Sequence, residues 1–303
     1  MISFNILTFN NSAGIVTDAL LLEKLLKHNI SENVKYQFVG ESNLDTADVG
    51  IWIQNYDPNL MYLYKKNIFF INEEWAGVNE LSNLHLFDYV ICKSNYAKKL
   101  LSSYHNVIHI PFISIDYYDS SIIRKHSNLH FAGRSIQKNT ELVLSTTNNL
   151  TLIDPYNRYK VDENVNHINT YQSKEQLIQL LNSHNIHVCC SLYESWGHYL
   201  FEGLSTGAEI ICSDIPVFKE QLDPDLVHFI PTVENVDLNY QYDTDNIDKK
   251  FPLRKSFYID EIYFKNKIEN FEPIGKSEER RKLFNNIINS NNKKITEFIT
   301  TLI

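Results

Sequence analysis

Short apolar runs and amphipathic runs alternate along most of the chain. The apolar runs suit strands of a buried sheet, and the amphipathic runs repeat at helical spacing. Strands are predicted at 4–10, 34–40, 48–54, 67–72, 87–94 and 106–111, and helices at about 15–28 and 95–104. Because strands that alternate with helices form βαβ units, this part of the chain predicts a parallel sheet with helices on both faces.

A second series of the same kind begins near residue 128. Its predicted strands are 128–133, 150–154, 165–169, 186–191 and 208–213, and its predicted helices are about 138–148, 173–184 and 198–206, with a short helix after Pro216. The weakest patterning lies at 113–127. The sequence therefore predicts an α/β fold with one domain at 1–120, a second at 121–276 and a C-terminal helix at 277–303. Two parallel sheets in succession predict a ligand cleft between the carboxyl ends of their strands.

Composition places the chain among ordinary soluble globular proteins, since 43% of its 303 residues are hydrophobic and 21% are charged. The apolar runs are far shorter than the roughly 20 residues of a membrane-spanning helix, and no signal peptide is visible. The four cysteines lie in strand-like segments, and adjacent Cys189 and Cys190 point to opposite faces of a strand. This pattern argues against a disulfide framework or a zinc site. We therefore expect a cytoplasmic protein.

The net charge of −9 argues against general nucleic-acid affinity but is compatible with a local site for a small anion. Residues 194–214 predict such a site. Gly197 lets the backbone approach a ligand closely, and a helix is predicted from His198 to Thr206, with Gly207 ending it. The N–H groups at 197–199 suit a diphosphate, which a helix start stabilises by roughly 0.3–2 kcal/mol.

Two glutamates flank this predicted helix start. Glu194 precedes it on the loop, and Glu202 lies one turn inside the helix. Carboxylates do not bind phosphates, so at a ligand site they would accept hydrogen bonds from sugar hydroxyls attached to the phosphates. Two interpretations fit these residues about equally well. They are a nucleotide-sugar site, or a solvated loop residue beside an exposed helix residue.

A basic element opens the second series. Arg134 and Lys138 follow the strand that ends at Gly133. A guanidinium offers a bidentate fork to phosphate oxygens and an ammonium offers a point charge, and each charge-assisted hydrogen bond contributes about 1.5–3 kcal/mol. The alternative is an exposed Arg and Lys at the start of a helix.

The stretch from 194 to 216 resembles the signature of retaining glycosyltransferases with the GT-B fold, particularly the GT4 family. That signature has two glutamates separated by seven residues, then small residues and an apolar strand that ends in Ser-Asp-x-Pro. The matching positions are Glu194, Gly197, Glu202, Gly207, Ser213, Asp214 and Pro216. The resemblance covers the second half well and the first half only in its alternation of strands and helices. It implies two Rossmann-like domains that face a central cleft, with the C-terminal helix packing back on the N-terminal domain.

The resemblance also implies the activity. A hexosyl unit would pass from a nucleotide diphosphate sugar, UDP- or GDP-linked, to a hydroxyl of a glycan, glycolipid or small sugar. Anomeric configuration would be retained, and neither a metal nor another cofactor would be required. The expected partners are thus a sugar donor and a sugar or glycan acceptor, with no nucleic acid and with peripheral membrane contact as a further option.

The same resemblance gives each site residue a role. The residues that would hold the donor diphosphate are Arg134, Lys138, Gly197, His198 and Tyr199. Glu202 would bind the ribose, and Glu194 would hold the donor sugar and orient it for the reaction. The spacing from Arg134 to Lys138 is one residue shorter than is usual in such enzymes. Tyr171 or Gln172 would cover the base, and the alternative there is an ordinary loop capped by Ser173.

The first domain would supply the acceptor side. The residues between its first strand and helix, where similar enzymes have a glycine-rich loop, are Asn11, Ser12, Ala13 and Gly14. A plain tight turn is the equal alternative there. Glu73 and Glu74 follow a predicted strand at its carboxyl end, and our hypothesis is that Glu73 or its neighbour receives the acceptor proton. Many relatives have a histidine near this position, and this chain does not.

Other functions stay open at this point. A sugar-nucleotide epimerase or hydrolase with the same fold would use the same donor site, and so would a non-catalytic nucleotide-sugar-binding subunit. The Asp-x-Asp triplets at 223–225 and 243–245 are typical of a metal-dependent glycosyltransferase of another fold. Neither follows a buried strand, so we interpret both as solvated turns.

Overall fold

The structure is a computed structural model that describes residues 2–9, 13–40, 43–134, 136–235 and 251–302. All observations below concern these residues.

The described residues fall into two compact units. The first unit is drawn from Met1–Ile113, Asp243–Arg254 and Ile288–Ile303, and the second from Ser114–Tyr242 and Lys255–Ile287. The chain leaves the first unit after Ile113, within the stretch 110–125 that forms neither helix nor strand. As limits of independently folding domains, the boundaries 1–120, 121–276 and 277–303 stay a prediction.

The first unit contains a six-stranded parallel sheet. Its strands are β1 (Phe4–Thr8), β2 (Val34–Phe38), β3 (Ala47–Ile53), β4 (Tyr64–Ile71), β5 (Tyr89–Cys92) and β6 (Val107–His109). They lie in the order β2-β1-β3-β4-β5-β6, and all neighbouring pairs are parallel. Ile6, Ile51 and Phe69 are fully buried. The sheet is covered on both faces, which explains why its strands are apolar almost throughout.

The helices of the first unit pack beside this sheet. They are α1 (Ala13–Asn29), α2 (Val78–Ser82) and α3 (Asn95–Leu100), with 3-10 turns at Pro58–Leu63, Glu73–Trp75 and Leu84–Leu86. The predicted helix at about 15–28 is confirmed as α1, which begins at Ala13, two residues before the predicted start. Ala13 and Gly14 belong to the first helical turn. Glycine is tolerated there because the first N–H groups of a helix have no intrahelical partner.

The second unit contains another six-stranded parallel sheet. Its strands are β7 (His126–Phe131), β8 (Leu150–Ile153), β9 (Asn166–Ile168), β10 (His184–Cys189), β11 (Glu209–Ser213) and β12 (His228–Ile230). They lie in the order β12-β11-β10-β7-β8-β9. Counted from the unit's own first strand, this is the strand order of the dinucleotide-binding Rossmann fold, in which the direction of winding reverses between β7 and β10. Ligands of such sheets bind at the carboxyl ends of these two strands.

The second unit also contains most of the helices. They are α4 (Thr140–Thr146), α5 (Lys174–Ser183), α6 (His198–Thr206), α7 (Pro216–Lys219), α8 (Glu261–Glu269) and α9 (Ser277–Thr300), and the last continues into the first unit. The predictions for α5, α6, α7 and α9 are confirmed. Ser173 caps α5 in a capping box with Gln176. The sequence did not predict β12, α8 or the antiparallel pair β13 (Thr232–Asn235) and β14 (Ser256–Ile259).

The four cysteines are free and buried, as predicted. In the described part of the chain, no helix combines the length and the apolar character needed to cross a bilayer.

Candidate functional site

The candidate site lies where the winding of the second sheet reverses. The loop after β7 and the loop after β10 meet there, because β7 and β10 are parallel neighbours. Gln137 Nε2 donates to the Tyr193 carbonyl at 2.8 Å, and Leu192 N donates to the Gln137 carbonyl at 2.8 Å. These two hydrogen bonds fix one loop against the other. The predicted Arg134, Lys138, Glu194 and Gly197 all lie on these loops.

Helix α6 starts directly from this loop pair. Gly197 is its N-cap residue, with φ 92°, and among the described residues no side chain caps this helix start. An added Cβ there would lie 2.6 Å from Phe218 Cε1, so both the backbone angle and the packing require glycine. The helix ends at Gly207, with φ 75°. The first N–H groups of a helix have no intrahelical acceptor, and without a capping side chain they are oriented to receive an anion.

Lys138 and Glu194 form an ion pair at the base of this helix start. Lys138 Nζ binds Glu194 Oε1, and Ser191 Oγ donates to the same oxygen at 2.8 Å. The carboxylate is nearly buried, whereas the lysine is 21% exposed. Ser191 is itself held by Ser213 Oγ, which donates to the Ser191 carbonyl at 2.6 Å. Lys138, which was predicted to bind phosphate, and Glu194, which was predicted to bind a sugar, are thus paired with each other.

Glu202 lies one turn inside α6, and its side chain is half-buried. Burial raises the pKa of Glu202, and the nearby charges of His198 and Lys138 oppose that rise. The carboxyl group is therefore within electrostatic range of both the helix start and the lysine. It is not the freely solvated helix residue of the alternative interpretation.

His198 is the first residue of α6, and its contacts reveal a site residue that the sequence did not predict. Ser114 Oγ lies 3.2 Å from His198 Nδ1 and accepts a hydrogen bond of 2.9 Å from Trp196 Nε1. Trp196 is buried and stacks on Phe201, with ring centroids 4.3 Å apart. Ser114 is 84 residues from His198 in the chain, within the weakly patterned stretch where the sequence gave no signal.

The side chain of Tyr199 is buried in the packing of the second unit. The hydroxyl donates to the Leu129 carbonyl at 2.6 Å, and burial raises the pKa of Tyr199 well above its ordinary value. The ring lies 4.4 Å from that of Phe131 and 5.7 Å from that of His187. The tyrosine therefore fastens α6 to β7 and β10.

Arg134 lies beside two tyrosines at the ends of the neighbouring strands. Its guanidinium carbon is 5.9 Å from the ring centroid of Tyr156, and that ring meets Tyr171 edge-on at 5.7 Å. The main cause that raises the pKa of Tyr156 is a hydrogen bond that its hydroxyl donates to Tyr171, which favours the protonated form. Tyr171 is 67% exposed, so its ring is accessible. The sequence named Arg134 and Tyr171 as site residues but not Tyr156.

In the first unit, Glu73 and Glu74 form a 3-10 turn after β4, and both are buried. Arg254 Nε donates to the Glu74 carbonyl at 2.9 Å, and the Arg254 guanidinium carbon lies 4.4 Å from the Trp75 ring centroid. Both carboxylates thus follow the carboxyl end of a sheet strand, as predicted. Their proposed role toward an acceptor stays a prediction.

The predicted loop at 11–14 falls partly outside the described residues. Asn11 and Ser12 are not described, and Ala13 and Gly14 form the first turn of α1. The prediction that Ala13 and Gly14 belong to a loop was therefore wrong, because the helix extends over them.

A buried ion pair in the first unit was also not predicted. Lys93 Nζ lies 2.5 Å from Asp18 Oδ2, and both side chains are almost fully buried. Lys93 directly follows β5, and its ammonium is 4.5 Å from the Phe112 ring centroid. A lysine placed immediately after an apolar strand was the available signal, but its partner on α1 is 75 residues away.

Among the residues that the structure describes, no three His, Cys, Asp or Glu side chains cluster as a metal site. Asp223 and Asp225 lie in an exposed turn, in which Asp223 Oδ1 accepts from Asp225 N at 2.9 Å, as predicted. Asp243 and Asp245 lie outside the described residues.

Comparison with known proteins agrees with this geometry. Residues 124–237 match the family model described as "Glycosyl transferases group 1". That stretch includes the whole second-unit site except Ser114. No curated protein sequence matches the chain significantly.

Three solved structures resemble the chain over nearly its full length. A glycosyltransferase from Rickettsia africae has a TM-score of 0.65 at 11% identity, covering 98% of this chain and 97% of that one. HepE of Anabaena, in complex with UDP and glucose, has a TM-score of 0.67 at 10% identity, covering 99% and 100%. A sucrose-phosphate synthase from Thermosynechococcus elongatus has a TM-score of 0.68 at 10% identity, covering 100% and 99%.

At such low identity the likeness concerns the fold. Each of the two units is a Rossmann-like parallel sheet covered by helices, and the chain has the α/β fold of the GT-B glycosyltransferase structures.

Proposed function

We propose that this protein is a glycosyltransferase that moves a hexosyl unit from a UDP- or GDP-linked sugar to a hydroxyl of a sugar, glycan or glycolipid. The observation that carries the proposal is the Lys138–Glu194 pair at the start of α6, on the two loops where the Rossmann winding reverses. A phosphate-binding cation and a sugar-binding carboxylate lie side by side there. The family-model match over residues 124–237 supports the proposal independently.

The diphosphate would bind to the positive side of this site. Lys138, Arg134 and the N–H groups at the start of α6 would donate hydrogen bonds to it. As the bond to the sugar breaks, negative charge grows on the leaving diphosphate, and donors fixed in advance stabilise that charge without reorganising. Each charge-assisted hydrogen bond contributes about 1.5–3 kcal/mol.

The carboxylates would bind the sugars. Glu194 accepts hydrogen bonds from donor sugar hydroxyls and orients the ring, and Glu202 accepts from the ribose. The leaving phosphate removes the acceptor proton on the face from which it departs, which retains the anomeric configuration, and Glu73 serves the acceptor side. No step in this scheme needs a metal ion, so turnover is expected to persist in EDTA, and a strict Mn²⁺ requirement would contradict the scheme.

The Lys138–Glu194 ion pair allows a specific test of the proposed function with Glu194→Gln. In the free protein Glu194 competes with the diphosphate for Lys138. Glu194→Gln removes that competition, so UDP or GDP alone is expected to bind as tightly as in the wild type or more tightly, while sugar transfer falls. A residue with only a structural role would lower both together. Glu269→Gln, on the exposed end of α8, is the matched control and is expected to change neither quantity.

Two measurements carry this test. Calorimetric titration with UDP and GDP gives the affinity, and release of nucleoside diphosphate from UDP- and GDP-sugars gives turnover, with and without a panel of sugar acceptors. Turnover that depends on an acceptor supports the transferase. Acceptor-independent turnover indicates an epimerase or hydrolase, binding without turnover indicates a binding subunit, and weaker UDP and GDP binding in Glu194→Gln contradicts the competition for Lys138.

A further inference from the structure

We propose that Ser114 holds His198 in the tautomer that carries its proton on Nε2, so that the ring offers an N–H donor at the start of α6. The proposal rests on the proposed function, because the donor would serve the diphosphate or the sugar of the bound nucleotide sugar. Ser114 itself touches no ligand in this account and acts as a positioning residue.

Three side chains around Gly197 define the arrangement. Trp196 and His198 flank this glycine in the chain, and both contact the same hydroxyl. Ser114 Oγ is 2.9 Å from Trp196 Nε1 and 3.2 Å from His198 Nδ1. Ser114 is 5% exposed and Trp196 is 2% exposed, so water has little access to this hydroxyl.

The directions of the hydrogen bonds follow from the chemistry of the groups. The indole N–H can only donate, so Ser114 Oγ accepts from Trp196. The hydroxyl has one proton of its own, and within the described part of the chain His198 Nδ1 is the other partner that the structure gives it. If Nδ1 also carried a proton, two donors would point at one oxygen and the buried hydroxyl proton would lack an acceptor. Such unsatisfied groups are unfavourable.

The neutral ring therefore accepts at Nδ1, and its proton lies on Nε2. The tautomer of His198 matters because its ring lies at the start of α6. His198 is the first residue of α6 and directly follows its N-cap residue, Gly197. A ligand phosphate or sugar hydroxyl at this helix start would meet an N–H donor. In the other tautomer it would meet a lone pair, which repels an anion.

The tautomer can be measured without any ligand. Nitrogen-15 labelling of the 11 histidines and a long-range proton–nitrogen correlation spectrum, recorded in mildly alkaline buffer, distinguish the two neutral tautomers. His198→Gln identifies the signals of His198 by their disappearance. We expect the Nε2–H pattern in the wild type and in Ser114→Thr, which keeps the hydroxyl. In Ser114→Ala we expect a mixture of the two tautomers, because the hydroxyl that fixes the proton is gone, and an unchanged pattern in this variant would overturn the proposal. The Nδ1–H pattern in the wild type would overturn the proposal.

A matched control exists in the same unit. Ser183 is another buried serine, whose Oγ lies 3.3 Å from His184 Nδ1. Ser183→Ala removes a comparable hydroxyl away from the site. It is expected to leave the His198 signals unchanged, and a change equal to that in Ser114→Ala would show that the effect is a general loosening of the unit.

The consequence for binding is measured by titration with UDP and GDP. Loss of a correctly oriented donor to a charged group corresponds to about a tenfold loss of affinity or more. We expect weaker binding in Ser114→Ala, by up to that factor, and wild-type affinity in Ser114→Thr and Ser183→Ala. Full affinity in Ser114→Ala despite a changed tautomer would overturn the donor role. If the wild type binds neither nucleotide, the proposed function fails with the donor role, while the spectrum still decides the tautomer.

Discussion

Because three histidines of the second unit are buried in the neutral form, we expect the protein to lose stability in mild acid. His130, His184 and His187 are each 1% exposed or less. Burial lowers the pKa of His130 to about 4, of His184 to about 4 and of His187 to about 3, against an ordinary value near 6.5. Between pH 6.5 and about 4 the unfolded chain therefore binds protons that the native chain does not. Stability that is present above this window is lost as the pH falls through it.

The hydrogen bonds explain why the rings stay neutral. His130 Nδ1 donates to the Val188 carbonyl at 2.8 Å, and His184 Nδ1 donates to the Leu180 carbonyl at 2.7 Å. In both rings Nε2 lies 2.9 Å from a threonine hydroxyl, which can donate to it. His187 Nε2 donates to the Leu181 carbonyl at 2.9 Å, and among the described residues its buried Nδ1 has no hydrogen-bond partner. A second proton on His187 would therefore lack an acceptor in this part of the chain.

The size of the effect follows from the shifts. One pKa unit corresponds to about 1.4 kcal/mol, so lowering the pH from about 7 to about 5 costs on the order of 2 kcal/mol for each histidine. His184 also lowers the pKa of its neighbour His187, so the three contributions are coupled. The total is nevertheless comparable to the whole stability of many domains, about 5–15 kcal/mol.

The assay is urea unfolding at both pH values, followed by hydrogen–deuterium exchange of peptides from β7 and β10. His187→Gln keeps a donor for the Leu181 carbonyl without a titrating ring, and we expect it to lose roughly a third of the pH dependence. His105→Gln, at an exposed position, is expected to leave the pH dependence unchanged. Equal stability of the wild type at both pH values, or an unchanged pH dependence in His187→Gln, would refute this account of the core.

Two further predictions concern packing. Lys93→Met is expected to destabilise the first unit by about 3–5 kcal/mol because it leaves a buried carboxylate without its cation, and Lys93→Met with Asp18→Leu is expected to recover most of that loss. Chemical unfolding measures both, and a double variant as unstable as the single one would contradict this explanation. Gly203→Ala is expected to destabilise the second unit by about 1–3 kcal/mol, since the new Cβ would lie 2.7 Å from His187 Nδ1. A thermal melt at or above that of the wild type would show that the histidine moves aside easily.

The parts of the fold that follow from local sequence were predictable. Helix α6 has a glycine with positive φ at each end, and helix α5 has a capping box formed by Ser173 and Gln176. Such signals involve residues within one or two helical turns of each other, so they can be recognised in a single sequence. The start of helix α1 was less predictable, because Ala13 and Gly14 carry no capping signal that distinguishes a loop from a first helical turn.

Contacts between distant residues were not predictable in the same way. Lys138 and Glu194 were both assigned to the site, but nothing in their local patterns showed that they pair across 56 residues. Ser114 lies in a stretch without periodicity, and its role depends wholly on two side chains more than 80 residues away. Strand β12 and the β13–β14 pair are three and four residues long, which is too short for a period to show.

In the proposed function the second unit binds a nucleoside diphosphate sugar through Lys138 and the start of α6. Calorimetric titration of the wild type and of Lys138→Met with UDP- and GDP-sugars measures this binding. Lys219→Met, which removes an exposed lysine of the same unit, is the control. We expect one of the two donors to bind the wild type and the control alike, and Lys138→Met to weaken this binding by about 10- to 100-fold. Equal affinity in Lys138→Met, or no binding of either donor to the wild type, would rule out the proposed binding site.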